Sequence, residues 1–237
     1  MIYVISDIHG YPVEKIKALF QSVNFSENDY CYCLGDVIDR GADGIEDLLW
    51  IMQQPNIEFI IGNHEAMMLS CDFLFKYITN ESVENLDNQK MMLYMNWMFN
   101  GAETTLAGLK KLSYEKRSEI LEYIKAAKLY DGVTVGGRDF IFTHGGFANF
   151  DPDKPLRDYK PDELFWNRPK LTDRYYEDMT VVFGHTPTGF FEEAGTEWGK
   201  VLFTDTWIDI DCGASRGFAP ALLRLDDMQV FYAESIQ

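Results

Sequence analysis

Cysteine is scarce in this chain, and the few cysteines follow no recognised pattern. Four occur among the 237 residues, namely Cys31, Cys33, Cys71 and Cys212. None belongs to a Cys-x-x-Cys pair, and their spacing matches neither a disulfide framework nor a zinc knuckle. We therefore expect buried free thiols, which suit the reducing cytoplasm.

Long apolar runs and a leader segment are also missing. No stretch of the sequence approaches the roughly 18 apolar residues that a membrane-spanning helix needs. The chain starts directly with the strand-like run Ile2-Tyr3-Val4-Ile5, without the basic segment and long apolar stretch of a signal peptide. We predict a cytoplasmic protein without a membrane partner.

Basic residues are outnumbered by acidic ones. The chain has 21 Lys and Arg against 38 Asp and Glu, which gives a net charge of −17. Such a surface repels nucleic acid and anionic lipid, because binding to both depends on clustered Lys and Arg. We expect no nucleic-acid partner. A phosphate ligand would need a local positive charge, which bound metal ions can supply.

What is present favours one large folded domain over residues 1–237. Hydrophobic residues make up 46% of the chain and aromatic residues 15%, enough for a substantial core. Strands are predicted over residues 2–6, 30–34 and 57–61, and helices over residues 12–22, 44–53 and 63–75. This alternation is typical of βαβ units in an α/β fold, whose ligands gather beyond the carboxyl ends of the strands.

The rest of the chain changes character twice. Residues 80–128 are predicted to form a helical insertion, with Met91, Met95 and Met98 packing into the core from one helical face. Residues 149–160 are predicted as a loop, and Asp226-Asp227 as the turn of a final hairpin. Strands are predicted over residues 133–135, 140–143, 180–183, 201–203, 208–210, 221–225 and 229–232.

All four histidines lie in short turns of polar residues and glycine, each directly after a strand-like run. A fifth such turn, Gly35-Asp36-Val37-Ile38-Asp39-Arg40-Gly41, carries two aspartates and an arginine instead. A capping or turn role would explain each residue alone, so the joint pattern is the evidence. Carboxylate, amide and imidazole ligands suit Mn, Fe, Zn or Ni, and two such ions can clamp a phosphoryl group. The histidine turns are Asp7-Ile8-His9-Gly10, Gly62-Asn63-His64-Glu65, His144-Gly145-Gly146 and Gly184-His185-Thr186-Pro187.

In this order, the five motifs resemble those of the calcineurin-like metallophosphoesterases. Within that superfamily they are most similar to the phosphoprotein phosphatase group, which includes small phage and bacterial Ser/Thr phosphatases and diadenosine tetraphosphatases. The matches run from residue 5 to about residue 217. The resemblance implies a four-layer αββα sandwich with a helical insertion and a dinuclear site at one edge of the central sheets. It also implies hydrolysis by a hydroxide that bridges two metal ions.

The resemblance implies a role for each matching residue. His64, paired with Asp39, would protonate the leaving oxygen, and a carboxylate partner raises the pKa of an imidazole and orients it. Arg40 would bind phosphate oxygens through its planar fork. Two divalent ions, Mn being favoured, would be bound by one group of Asp7, His9 and Asp36 and a second group of Asp36, Asn63, His144 and His185.

Two further stretches resemble phage-type enzymes of this group. Trp166-Asn167-Arg168 is similar to a second phosphate-binding element, in which Arg168 would contact phosphate. The stretch from Trp97 to Gly101 is similar to part of their helical insertion, where lining the cleft and packing are equally good explanations. Two positions differ, because Ser6 replaces a common Gly and Ile61 stands where many relatives have Arg. The second change removes a positive group, so substrate choice is expected to differ.

Three rival functions are disfavoured. Gly213-Ala214-Ser215-Arg216-Gly217 has the G-x-S-x-G pattern of α/β-hydrolases, but no histidine follows His185 to complete that triad. We expect this segment to be a turn near the metal cleft. A non-catalytic scaffold would be expected to have lost some of these residues, and the acidic charge argues against a nuclease.

We therefore predict a phosphoesterase that removes phosphate from serine or threonine of a phosphorylated protein. The alternative is a symmetrical dinucleoside tetraphosphatase, or a hydrolase of another small phosphate ester. Both interpretations require two divalent metal ions as cofactors.

Overall fold

A computed structural model describes residues 1–76, 83, 86–191, 195 and 197–236 of the chain. Residues 80–82, 84 and 85 of the predicted insertion lie outside these ranges. The helices are α1 (Val13–Ser22), α2 (Gly44–Met52), α3 (Asn63–Ser70), α4 (Asn88–Phe99), α5 (Glu103–Lys110), α6 (Tyr114–Lys125) and α7 (Pro161–Phe165). The strands are β1 (Ile2–Ile5), β2 (Tyr30–Cys33), β3 (Ile57–Phe59), β4 (Tyr130–Val135), β5 (Arg138–Thr143), β6 (Met179–Phe183), β7 (Leu202–Phe203), β8 (Trp207–Asp209), β9 (Ala221–Arg224) and β10 (Gln229–Tyr232).

The first sheet has the strand order β10-β9-β1-β2-β3. β1, β2 and β3 are parallel, with Ile5 opposite Cys33 and Cys33 opposite Phe59, so the carboxyl ends of these strands are level. This confirms the predicted βαβ units. β9 and β10 form the predicted hairpin, and β9 pairs with β1 in antiparallel orientation.

The second sheet has the order β4-β5-β6-β8-β7. Its central strands β5, β6 and β8 are parallel, and Phe142 of β5 pairs with Val182 of β6. β4 and β7 are antiparallel to their neighbours at the two edges. The turns after β5 and β6 therefore leave this sheet on the same side, which places His144 beside His185.

The molecule has three hydrophobic cores, and side chains that alternate along the strands of the first sheet point into two of them. Val4 and Tyr32 point toward the second sheet, where Tyr32 lies 4.3 Å from the ring centre of Phe142. The neighbouring positions Tyr3 and Ile5 point to the opposite face, which the helices cover. The period of two in a strand thus lets one sheet serve two layers. The four cysteines are buried and free, as predicted.

The outer face of the second sheet carries Ile141, Phe183 and Trp207. It is covered by the segments around Phe147, α7 and Tyr175, which supply the third core. The layers are therefore helices, sheet, sheet, and a fourth layer in which α7 and connecting segments pack on the outer face. The predicted four-layer αββα sandwich is confirmed.

Two local predictions need correction. α3 ends at Ser70 and is followed by a 3-10 turn over Asp72–Leu74, so the helix does not continue to residue 75. Ser70 donates its hydroxyl to the Ala66 carbonyl, a bond that competes with the helical backbone ladder. Met95 is 57% exposed rather than packed, because the buried residue of α4 is Trp97, with Met98 beside it against the core. Within the described ranges, no helix has the length and apolar character to cross a membrane.

Candidate dinuclear metal site

The turns after four strands and the start of α3 meet at one point. Asp36, which follows β2, occupies the centre, with its Oδ2 atom 3.3 Å from His144 Nε2 and 3.7 Å from His9 Nε2. Asn63 Oδ1 lies 3.0 Å from His144 Nε2, and Asp7 Oδ1 lies 3.9 Å from His9 Nε2. Since the carboxyl ends of parallel strands share an edge, residues far apart in sequence converge here.

The donor atoms fall into two groups that share Asp36. Ligand atoms of Asp36, His144 and His185 lie within 4.8 Å of one another, and so do those of His9, Asp36 and His64. Distance alone would therefore allow His64 as a ligand. Its Nδ1 atom is held by Asp39, so Nε2 is the ring nitrogen left for either a metal ion or a leaving oxygen.

Two buried donor atoms support the fit of this site to metal ions. Asp7 Oδ1 and His185 Nε2 are inaccessible to solvent and have no hydrogen-bond partner within the described ranges. Buried polar atoms are normally satisfied, so each of these two atoms is suited to binding a cation. Hard oxygen and imidazole nitrogen donors suit divalent ions of the Mn to Zn series.

The backbone at the site is unusual. A positive φ is uncommon outside glycine and clusters where strain serves a function. The turn after β1 is held against the turn after β2, since Asp7 N donates to Gly35 O at 3.0 Å and His9 N to Asp36 O at 2.9 Å. The site residues with positive φ are Asp7 (51°), His9 (48°), Asp36 (53°), Asp39 (70°), Arg40 (70°) and His185 (69°).

Glu65 holds the turn that carries Asp36. Its buried carboxylate accepts the backbone N–H groups of Asp36 at 2.8 Å, Val37 at 2.9 Å and Gly62 at 3.1 Å. Burial, reinforced by the charge of Asp36, raises the pKa of Glu65 to about 7. The sequence placed Glu65 in a motif without a function, because the backbone donors of Asp36 and Val37 lie in a distant turn and leave no local pattern.

Burial and crowded charges set the protonation of the site. Burial raises the pKa of Asp7 to about 6. Burial acts against ionised Asp36 as well, but His144 and His64 outweigh it and hold that pKa well below its usual range. Burial also opposes the charge on His144, yet Asp36 raises its pKa to about 10, whereas burial and His144 lower the pKa of His185 to about 2. Metal binding would displace such protons, because imidazole ligands coordinate in the neutral form.

His64 and Asp39 form the predicted pair. His64 Nδ1 lies 2.6 Å from Asp39 Oδ2, and both side chains are buried. Burial would lower the pKa of His64, but Asp36 and Asp39 together raise it above the ordinary value. Nε2 of His64 faces the cavity and lies 3.0 Å from Arg40 Nη2.

A cavity of about 440 Å³ opens beside this pair. Arg40 and Arg168 both line it, together with His64 and His185. Arg168 Nη1 donates to the His185 carbonyl at 3.2 Å, which fixes the guanidinium at the edge of the site. The predicted phosphate-binding residues are therefore brought to the same cavity as the predicted metal ligands.

The carboxylate of Asp7 has a hydrogen-bond partner that sequence analysis missed. Ser6 donates its hydroxyl to Asp7 Oδ2 at 2.5 Å, so the exchange of Gly for Ser adds a hydrogen bond to a predicted ligand. Gly184 allows this approach, since a Cβ atom there would lie 2.0 Å from Asp7 Oδ2.

Behind Asp7 lie two buried carboxylates, Asp209 and Asp211, to which sequence analysis gave no role. The Asp211 N–H donates to Asp209 Oδ1 at 3.0 Å, and burial raises the pKa of both well above the usual range. The alternation Ile-Asp-Ile-Asp over residues 208–211, at the end of β8, was the available signal.

The segments 213–217 and 97–101 both lie beside the cavity, in agreement with the predictions. Ser215 and Arg216 of the turn over Ala214–Arg216 line the cavity. In the stretch from Trp97 to Gly101, Trp97 is fully buried whereas Asn100 lines the cavity, so both explanations hold for different residues.

A shared buried aspartate, convergent imidazoles and two arginines define a metal-dependent hydrolase of phosphate esters. The family model for calcineurin-like phosphoesterases matches residues 1–211, and the chain belongs to this family. This confirms the resemblance seen in the sequence and the assignment as a phosphoesterase.

Relatives of the chain are named for two kinds of activity. It is 28% identical over 212 residues to an asymmetrical bis(5'-nucleosyl)-tetraphosphatase, PrpE, of Bacillus velezensis, covering 78% of this chain and 76% of the relative. It is 26% identical over 223 residues to serine/threonine-protein phosphatase 2 of Salmonella typhimurium, covering 86% of each. A crystal structure of a putative diadenosine tetraphosphatase shares the fold, with a TM-score of 0.65 and 14% identity, over 100% of this chain and 94% of the other.

Proposed function

We propose that this protein removes phosphate from phosphoserine or phosphothreonine of a protein substrate, with two divalent metal ions as cofactors. The observation that carries the proposal is the buried His64–Asp39 pair, whose Nε2 atom faces the cavity. When a serine or threonine side chain leaves, it does so as an alkoxide that must take up a proton. A proton donor beside the cavity therefore accelerates hydrolysis of such an ester more than that of an ester with a stable leaving group. A nucleotide phosphate leaves without that help.

The proposed metal ligands are those of the sequence prediction. Asp7, His9 and Asp36 would hold one ion, with Asp36 shared. When bound, two such ions supply Lewis acidity and an ionised water at neutral pH. We propose Mn as the ion in use, in accord with the oxygen and imidazole donors. The second ion would be held by Asp36 together with Asn63, His144 and His185.

Residues of the chain itself would bind and orient the phosphate. Arg40 and Arg168 line the cavity from two sides and present planar donor forks to phosphate oxygens. Asp39 keeps the Nδ1 proton of His64 in place, so that Nε2 is the atom that gives a proton to the leaving oxygen. We further propose a cytoplasmic location, which the four buried thiols support.

A dinucleoside polyphosphate is the second candidate, and one feature of the cavity mouth favours it. The guanidinium of Arg216 lies 4.7 Å from the ring centre of Phe190 and 5.2 Å from that of Trp198. Trp198 in turn stacks on Phe218 at 5.5 Å. Phe190 is 52% exposed, and an exposed ring beside an arginine can bind a nucleobase by stacking. The tetraphosphatase relatives support the same candidate.

The test compares both substrates with the chelator-stripped protein and added Mn²⁺. Phosphate release from a phosphoserine peptide, with a kcat/KM above that for diadenosine tetraphosphate, is the expected result. Preferential cleavage of the nucleotide would transfer the function to the second candidate. Phe190→Ala should then impair nucleotide cleavage selectively, with Phe203→Ala, at another exposed phenylalanine, as the control. Hydrolysis of neither substrate with Mn²⁺ bound would contradict both.

A further inference from the structure

The carboxylate of Asp39 is held by more than its histidine. Trp97 Nε1 donates to Asp39 Oδ2 at 2.9 Å, the same oxygen that binds His64. Thr105 Oγ1 donates to Asp39 Oδ1 at 2.5 Å and accepts the Asp39 N–H at 2.9 Å. Asp39, Trp97 and Thr105 are all buried, so these bonds are shielded from water.

Both additional partners come from the helical insertion. Trp97 lies in the last turn of α4 and Thr105 in the first turn of α5. The connection between the two helices also contacts the catalytic turn, because Arg40 N donates to Gly101 O at 2.9 Å. A Cβ atom on Gly101, where φ is +100°, would lie 2.8 Å from Arg40 Cγ. The insertion thus contacts Asp39 through two side chains and Arg40 through a backbone hydrogen bond.

We propose that Trp97 and Thr105 are positioning residues, which fix the plane of the Asp39 carboxylate and thereby aim His64 at the leaving oxygen. This rests on the proposed function, in which His64 donates that proton. The two additional donors occupy both carboxylate oxygens of Asp39, so the carboxylate cannot rotate away from His64 Nδ1 without breaking a hydrogen bond. Trp97 itself lies in the core and does not line the cavity.

The test uses the dependence of the rate on the leaving group. A phosphoserine peptide, or glycerol 2-phosphate, requires protonation of an alkoxide, whereas 4-nitrophenyl phosphate releases a stable anion. In Trp97→Phe and in Thr105→Val, kcat for the alkyl ester should fall about tenfold, a part of the roughly 100-fold to 10,000-fold that proton donation contributes. For the aryl ester, kcat should change less than about twofold, because its leaving group gains little from proton donation. Thr105→Ser, which keeps the hydroxyl, should restore the alkyl rate.

A matched control separates positioning from general stability. Trp207 is also fully buried and donates its indole N–H to a backbone carbonyl, that of Asp173 at 3.0 Å, but it lies on the outer face of the second sheet. Trp207→Phe should leave the ratio of alkyl to aryl rates unchanged.

His64→Asn serves as the reference for a lost proton donor. If it lowers the alkyl rate selectively while Trp97→Phe and Thr105→Val lower both rates equally or neither, the positioning inference is overturned and the proposed function stands. If His64→Asn shows no selectivity, both are overturned. Thermal unfolding of each variant verifies folding, and the two positions provide independent tests.

Discussion

At the scale of single residues, this site depends on side chains whose surroundings assign them different tasks. Asp36 and Asp39 lie three positions apart in one turn, and both are buried. Asp36 is surrounded by imidazole nitrogens at 3.3 to 3.8 Å, whereas Asp39 binds an indole, a hydroxyl and one imidazole. The first is therefore suited to a metal and the second to a histidine.

The assigned role of His64 predicts a separation of catalysis from metal binding. His64→Asn should lower kcat for an alkyl phosphate by about 100-fold or more, because proton donation is lost. Metal content, measured by elemental analysis after dialysis against Mn²⁺, should stay at the level of the parent protein. A matching loss of metal would instead make His64 a ligand, as its 3.8 Å distance to Asp36 Oδ2 would allow.

Arg168 predicts an effect on substrate binding. Arg168→Ala removes a charged donor from the cavity, which should raise KM about tenfold, since hydrogen bonds to charged groups contribute about 1.5–3 kcal/mol. The control is Arg174→Ala, an exposed arginine paired with Asp205 at 2.8 Å and absent from the cavity lining. Steady-state kinetics with one substrate would decide, and equal KM values for the two variants would contradict the role.

At the scale of elements, α2 contains a buried charge with no task in the site. Asp47 faces the core between Gly44 and Ile51, and neither carboxylate oxygen has a hydrogen-bond partner within the described ranges. Burial, with Asp43 and Glu46 nearby, raises its pKa well above the usual range. The folded state then binds more protons than the unfolded state, so this group lowers stability as pH rises above its unfolded pKa of about 4.

Asp47→Asn should remove the loss of folding stability that ionisation of Asp47 causes as pH rises. The variant should gain stability over the parent above about pH 4, by about 1.4 kcal/mol for each pH unit between the unfolded and the folded pKa of Asp47. Urea unfolding at pH 4 and pH 7 measures the gain. Glu27→Gln, at an exposed position outside α2, is the control and should change stability by less than about 0.5 kcal/mol. A gain of equal size at both pH values would show that charge is not the cause.

At the scale of the whole molecule, the metal site joins the two sheets. Asp7 and Asp36 follow strands of the first sheet, and His144 and His185 follow strands of the second. Ions bound by both groups would therefore stabilise the packing of one sheet on the other. The same edge receives the helical insertion through Asp39, so three parts of the fold meet at one cavity.

This arrangement predicts that bound metal ions raise the melting temperature of the protein substantially. Mn²⁺ at 100 times its Kd should stabilise the folded protein by about 2.7 kcal/mol, which corresponds to a Tm increase of about 5 to 10 °C for this size. Asp36→Asn, which affects both ion sites, should abolish the shift measured by calorimetry. Asp205→Asn, an exposed aspartate, should retain it. A full shift in Asp36→Asn would place the ions elsewhere.

The sequence by itself determined the class of fold, the βαβ half and the ten residues predicted for the site. These were readable because each turn is a local feature, in which a strand-like run ends in glycine, carboxylate and imidazole. The family motif then set their order. The binding roles of these ten residues stay predictions, as does the phosphoprotein substrate.

Only the tertiary structure decided which residues hold those turns in place. Glu65, Trp97 and Thr105 act across 27 to 66 positions of sequence, and Ser6 acts on Asp7 through a rotamer that no pattern encodes. The exposure of Met95 was likewise unreadable, because periodicity gives the faces of a helix but not which face meets the core. The sequence specifies what each turn can bind, whereas packing specifies how firmly and in what direction each side chain is aimed.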